Sequence, residues 1–210
     1  MLPLSTYLSF AGVALVMALS PGPNMIYLVS RSICQGREAG LISLAGVCVG
    51  FFFYMICTAL GVMTIFIAYP SLFELLKIAG ACYLFYLAWK ALRPGGRSPL
   101  QVKKLKIDPP AKLFKMGFLT NLLNPKIAMM YLSLLPQFIH PEDGSVVSQF
   151  LTLGMIQIVI GTTVNGIIAM SASSVSSFLT SKASWLIIQR WIFGCILIIL
   201  GLHLLLKHFL

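Results

Sequence analysis

Ser20-Pro21-Gly22-Pro23-Asn24 and Asn121-Leu122-Leu123-Asn124-Pro125-Lys126 decide how this chain reads. Each interrupts a long apolar stretch, and 100 residues separate Asn24 from Asn124. Proline removes a backbone donor and clashes with the preceding helical turn, so each break strands backbone polar groups. Lipid cannot satisfy such groups; at membrane depth they survive facing protein or a wet cavity. Interrupted segments at matching places in two halves are the sequence pointer to a transporter's substrate site.

Composition supports the membrane setting. Of the 210 residues, 59% are apolar and 10% charged, and the mean hydropathy is +0.94. Soluble domains carry about 25% charged residues, so the chain reads as an integral membrane protein. The net charge of +10 does not indicate nucleic acid, because six of the fifteen basic residues cluster in one short connector and the rest are scattered. The apolar N-terminal stretch is not read as a signal peptide: no Lys or Arg precedes Arg31, and the run continues too far. Cys34, Cys48, Cys57, Cys82 and Cys195 are scattered singly, without CxxC or metal spacing. They read as small apolar fillers.

Six apolar segments can be drawn, over residues 4–29, 41–68, 72–92, 113–139, 146–170 and 185–206. Each is near the roughly 20 residues a spanning helix needs. Short polar connectors separate them: 31–37, the tight turn Tyr69-Pro70-Ser71, the acidic turn His140-Pro141-Glu142-Asp143-Gly144, and a Ser-rich run from Ser171 to Ser184. The longest connector carries Arg93, Arg97, Lys103, Lys104, Lys106 and Lys112 against one acid, Asp108. By the positive-inside rule it is cytoplasmic. Arg31, Arg37 and Lys182 then fall on the same side, which puts both termini outside. The basic connector serves topology, with contact to anionic headgroups as the alternative.

The expected fold is all-α: one transmembrane domain over 1–210, with half-repeats at about 1–92 and 113–210 around the loop 93–112. Three spans per half would make an inverted repeat with a proline-broken first helix in each. The repeat rests on pattern, since the halves share no convincing residue identity.

Asn124-Pro125-Lys126 reads as a fresh helix start, because Asn is a strong N-cap and Pro suits the first helical position. Such a start favours an anion. Lys126 is the charge placed mid-span, with no acid deep in any span to pair with it. Intramembrane charges are functional by default. Its partners are a substrate carboxylate, helix-end carbonyls or water; the bland alternative is a lysine that caps a broken helix or snorkels. At the first break Pro21 and Pro23 remove donors, Gly22 lets the chain bend, and Ser20 or Asn24 can cap or bind. The alternative there is a plain kink. Asn121 and Thr120 lie about one turn before Asn124 and share its face.

Gly46-x-x-x-Gly50 is a helix-packing spacing, or a glycine face beside the substrate. Gln157, Thr162, Thr163 and Asn165 are polar at depth, as interhelical glue or cavity lining. Glu74 and Lys77 form a structural i,i+3 pair. His140, His203 and His208 sit at span ends without ligand spacing. No zinc motif, intramembrane carboxylate pair, Gly-x-Ser-x-Gly elbow or Walker loop appears, which argues against an enzyme or an ATP-driven pump.

The chain resembles the LysE/RhtB family of bacterial amino-acid exporters. The matching blocks are Ser20-Pro21-Gly22-Pro23-Asn24, Gln35-Gly36-Arg37-Glu38-Ala39-Gly40, Gly46-Val47-Cys48-Val49-Gly50, Ala79 to Trp89, Gly117 to Lys126 and Leu135-Pro136-Gln137-Phe138-Ile139. They keep order and spacing over roughly the first two thirds of the chain; the rest matches in hydropathy. The resemblance implies a six-span inner-membrane protein that exports amino acids against proton entry, with no cofactor. It places functional weight on Pro21, Gly22, Pro23, Asn24, Asn124, Pro125 and Lys126. One departure stands out. Many members carry an acid just after the second-span glycines, where this chain has Phe51-Phe52-Phe53. A dibasic substrate would bring a second cation to a site holding Lys126 and no acid, which is unfavourable at low dielectric. Neutral or small polar amino acids are therefore expected. The alternatives are basic amino acids, another small solute or ion, or a non-transport membrane scaffold. The glycine faces permit a homodimer.

Overall fold

A computed structural model describes residues 2–20, 22–62, 70–93 and 107–179, with single positions at 191, 194, 195, 198, 199, 201, 202 and 205. Pro21, Arg97, Lys103, Lys104, Lys106, Lys182, His203 and His208 lie outside the described residues, as does most of the expected sixth span. The side chains of Glu74 and Lys77 also lie outside them.

All regular structure among the described residues is helical. The elements are α1 (Leu4–Leu19), α2 (Pro23–Gln35), α3 (Arg37–Cys57), α4 (Pro70–Leu92), α5 (Pro110–Leu122), α6 (Pro125–Met129) and α7 (Val146–Leu179). A π turn, Thr58–Val62, prolongs α3; a π turn and a 3-10 turn, Met130–Leu134 and Leu135–Phe138, prolong α6. Both expected breaks are present. Between α1 and α2 the axis bends by 52°. Between α5 and α6 the chain leaves the helix at Leu123 and Asn124.

Arg37–Gly61 and Val146–Ala172 are long and apolar enough to cross a membrane, and the bent pair α1–α2 makes a third such unit. Neither α5 nor α6 is long enough to cross alone, since the break divides them.

Two expected connectors turn out differently. The first shrinks to Gly36: α2 runs on through Arg31 to Gln35, and α3 begins at Arg37. Gly36 has φ +91°, which glycine adopts without the cost a Cβ would bring, so the turn needs one residue. The Ser-rich run is helical as far as Leu179. Serine is only a modest helix former, but in a helix its hydroxyl can bond the carbonyl one turn back.

Glycines set the packing. α3 lies closest to α5. A Cβ on Gly46 would strike the Phe114 carbonyl oxygen, and one on Gly117 would strike that of Ser43. The two backbones thus touch, as small-residue helix pairs do. The Gly46 and Gly50 face, which would suit a dimer by sequence, is taken up by α5. Along the other side of α3, Leu44, Phe51 and Met55 lean on Gly166, Gly161 and Gly154 of α7, so α3 and α7 run antiparallel.

At the end of α2 a polar cluster ties the helix to the start of α5. Arg31 Nη1 donates to Asp108 Oδ2 at 2.6 Å, and both side chains are about 10% exposed, at 10% and 11%. Gln35 accepts from Arg31 and donates to the Asp108 carbonyl, at 3.1 Å each. Lys112 reaches Asp108 Oδ1 at 2.7 Å. The Lys112 hydrogen bond, aided by the Arg31 and Lys112 charges and opposed by desolvation, holds the Asp108 carboxyl below the usual carboxylate range. A depressed folded pKa adds stability that is present above the unfolded value and lost as pH falls through the folded one. Asp108→Asn should therefore melt lower than wild type in detergent at pH 7. That gap should close below about pH 4, the ordinary carboxylate range. A gap independent of pH would assign the cluster's contribution to packing instead.

Candidate functional site

The site grows from the second break. Asn124 leaves the helical range (φ −83°, ψ 107°), and its Oδ1 accepts from the Lys126 N–H at 3.1 Å. With Pro125 at the first helical position, this starts α6 locally. Lys126, in the first turn of α6, is buried, with 5% exposed. Its ammonium crosses to the first break, where Nζ donates to Ser20 O at 2.6 Å and Met17 O at 2.9 Å. These are carbonyls at the C-terminal end of α1, where the helix dipole is negative and favours a cation.

Magnitudes show why no acid is needed. Burying an ammonium costs several kcal/mol after relaxation. Hydrogen bonds to charged groups return about 1.5–3 kcal/mol each, so two carbonyls bring the balance near zero. Among the three partner types open to Lys126 by sequence, helix-end carbonyls hold it in this conformation. They take two of the three donors an ammonium offers.

A small cavity of ≈ 10 Å³, room for about one water molecule, opens beside Lys126. α1 and α2 contribute Met17, Ala18, Asn24 and Met25; α6 and its π turn contribute Ile127 and Met130. Phe51 of α3 and the stripe Gln157, Gly161, Asn165 of α7 complete it. The stripe falls on one face because its members are four residues apart. Asn165 Nδ2 donates to Gly161 O at 2.7 Å. Both amide atoms of Asn24, and Gln157 Oε1, are buried without a partner among the described residues. Unanswered buried polar atoms are costly and mark places where water, an ion or a ligand belongs. At the start of α2, the N–H groups of Asn24 and Met25 have no intrahelical acceptor, as for any first turn.

Of the residues singled out by sequence, the cavity brings together Asn24, Lys126, Gln157 and Asn165. Gly22 touches the same lysine: a Cβ there would lie 3.1 Å from its Cε and Nζ. Pro23 and Pro125 shape the two helix starts without lining the cavity. Asn121 is fully buried, but it packs against Gly50 instead of lining the cavity. Its backbone oxygen accepts from Asn124 N at 3.0 Å. Gly46 and Gly50 pack on α5, as described above. Thr162 sits beside Cys48, its Oγ1 3.6 Å from the sulfur.

Sequence reasoning noted Phe51 only as the place of a missing acid and passed over Met17, Met25, Met130 and Gly161, because apolar residues and glycine in an apolar chain carry no local signal. It also passed over Tyr54, whose hydroxyl donates to Leu122 O at 2.8 Å and answers the cut end of α5 as Lys126 answers that of α1. At the turn Pro141–Asp143, His140, Glu142 and Asp143 each bring one ligand atom within 4.8 Å of the others. That turn is partly exposed and separate from the cavity.

A family model described as LysE type translocator matches residues 15–208. The chain belongs to that family. This LysE type translocator is thus a membrane transporter and not an enzyme. It is 29% identical over 186 residues to a homoserine/homoserine lactone efflux protein of Salmonella typhimurium, covering 89% of each chain. It is 32% identical over 149 residues to a leucine efflux protein of the same species, covering 70% of this translocator and 69% of that protein. An uncharacterized membrane protein of Pseudomonas aeruginosa is 34% identical over 152 residues, with 69% and 68% covered. No solved structure matches the translocator.

Proposed function

We propose that this translocator exports neutral or small polar amino acids across the bacterial inner membrane against proton entry. The cavity between its two broken helices is the substrate site. The observation that carries this reading is Lys126, a buried cation held by helix-end carbonyls, with its third donor unanswered among the described residues. The substrate carboxylate takes that donor together with the first-turn N–H groups of α2, an arrangement suited to anions. The ammonium group goes to carbonyls at the cut helix ends and to Asn24. Asn121 and Asn124 position the second break and meet substrate only as the site opens. Efflux relatives named for homoserine and leucine fit the neutral class. The cavity is far smaller than any amino acid, so this conformation is closed and substrate enters by widening it.

Six spans form an inverted 3+3 repeat, with half-repeats at about 1–92 and 113–210. Each first span is the broken one. The basic connector 93–112 is cytoplasmic and both termini lie outside, consistent with the placement of Arg31, Arg37 and Lys182. The coupling ion is a proton, and the unit of function is the single chain, its glycine face being occupied by α5.

The test is efflux from proteoliposomes loaded with labelled alanine, threonine, homoserine, leucine and lysine, with and without an imposed proton gradient. Gradient-dependent efflux of the neutral members, and none of lysine, is the expected result. Lysine moving fastest would reverse the substrate assignment, and efflux indifferent to the gradient would remove the proton.

A further inference from the structure

The cavity wall contributed by α3 and α7 has its own geometry. Phe51 is 1% exposed and its ring rests over Gly161, so both residues face the same small space. A Cβ on Gly161 would lie 3.2 Å from Phe51 Cζ, 3.3 Å from Cε2 and 3.5 Å from Gln157 Nε2. The first two distances are tighter than ordinary contact by a few tenths of an ångström. Gly154, one packing layer away, is different. Its Cβ would meet Met55 Cγ at 2.5 Å, and neither residue reaches the cavity. Gly154 is thus closed by its neighbour, whereas a methyl at Gly161 would press on the Phe51 ring by only a few tenths of an ångström, beside the cavity. Gln157, one turn before Gly161, is 2% exposed and its Oε1 has no partner among the described residues.

From this we infer that Phe51 and Gly161 form the size gate for the substrate side chain, with Gln157 Oε1 as an acceptor for a hydroxyl carried on it. The inference rests on the amino-acid reading of the cavity given above and adds what that reading lacks: the wall that selects among neutral amino acids. The chemistry of the wall is an aromatic face, a glycine and one neutral acceptor. It suits short aliphatic and hydroxylated side chains and carries no acid to pair with a cation. An atom added at Gly161 must displace the ring or narrow the cavity directly. Shortening Phe51 does the opposite.

The experiment compares wild type, Gly161→Ala and Phe51→Leu in proteoliposomes, reading initial efflux of labelled alanine, threonine, leucine and phenylalanine. Leucine replaces phenylalanine at position 51 because removing the whole buried ring endangers folding; melting temperature in detergent verifies that each variant is folded. One methylene of misfit in an apolar pocket changes discrimination by about 10–200-fold. Gly161→Ala should therefore lower the leucine-to-alanine ratio by about tenfold or more, and Phe51→Leu should raise the phenylalanine-to-leucine ratio by a similar factor. Gln157→Leu should lower threonine efflux relative to alanine. Variants that change all rates by one common factor, with wild-type efflux intact, would reduce the pair to helix packing and overturn this inference alone. Wild-type protein that moves no amino acid would overturn the inference together with the reading beneath it.

Discussion

Lys126→Met should abolish most efflux while leaving a folded protein. Methionine is unbranched and close to lysine in length, so it fills the space beside Gly22 that the aliphatic stem occupies. It removes the ammonium that bridges the two breaks at Met17 O and Ser20 O. Truncating one partner of a buried, hydrogen-bonded charge contact costs about 2–5 kcal/mol, and each 1.4 kcal/mol is about a factor of ten. Initial efflux per folded molecule should thus fall by about thirtyfold or more. Stability should fall less. The two carbonyls left behind cost about 1–3 kcal/mol each when unsatisfied, and loss of the ammonium's burial penalty offsets part of that. Lys126→Arg should not rescue, because the guanidinium is a rigid planar fork and the stem is already within 3.1 Å of a Gly22 Cβ position. Full efflux by Lys126→Met would leave the lysine a helix cap and nothing more.

How much of this was legible in the sequence follows the range of the interactions. The helix start at Asn124-Pro125-Lys126 is made by neighbours: an Asn side chain reaching an N–H two residues on, and a proline fitting the first turn. Local chemistry of that kind can be read from a tripeptide. What answers Lys126 is not local, since Met17 and Ser20 lie 109 and 106 residues away. The sequence narrowed its partners to three types and could not choose. Arg31 and Asp108 read as topology charges, yet they meet at 2.6 Å because α2 continues into the expected connector as far as Gln35. Asn121 shared the face of Asn124 by helical spacing, but the chain leaves the helix between them and sends Asn121 onto Gly50. Phe51 was legible only as the place of a missing acid and Gly161 not at all, because their contact across two helices is what brings them together.

The close pairing of α3 and α5 links this packing to transport, and Gly46→Ala should show it. A Cβ at Gly46 falls on the Phe114 carbonyl oxygen and within 2.9 Å of Phe118 N. Both are backbone atoms, so no rotamer change can make room, and the helices must separate. Overpacking of this kind costs about 1–3 kcal/mol, occasionally more, a large share of the roughly 5–15 kcal/mol that holds a domain folded. α5 ends at the second break, so moving it also carries Asn124 and Lys126 away from the end of α1. Bonds of 2.6 and 2.9 Å do not survive a shift near 1 Å. Gly46→Ala should therefore lose both melting temperature and efflux, and Gly117→Ala should match it from the other side of the contact. Gly12→Ala is the control: no atom of the described residues lies within 4 Å of its Cβ position, and exchanging glycine for alanine inside a helix adds about 0.5–1 kcal/mol. If Gly46→Ala melted and transported like Gly12→Ala, α3 and α5 could not be as close as described, and the placement of Lys126 at the end of α1 would lose its support.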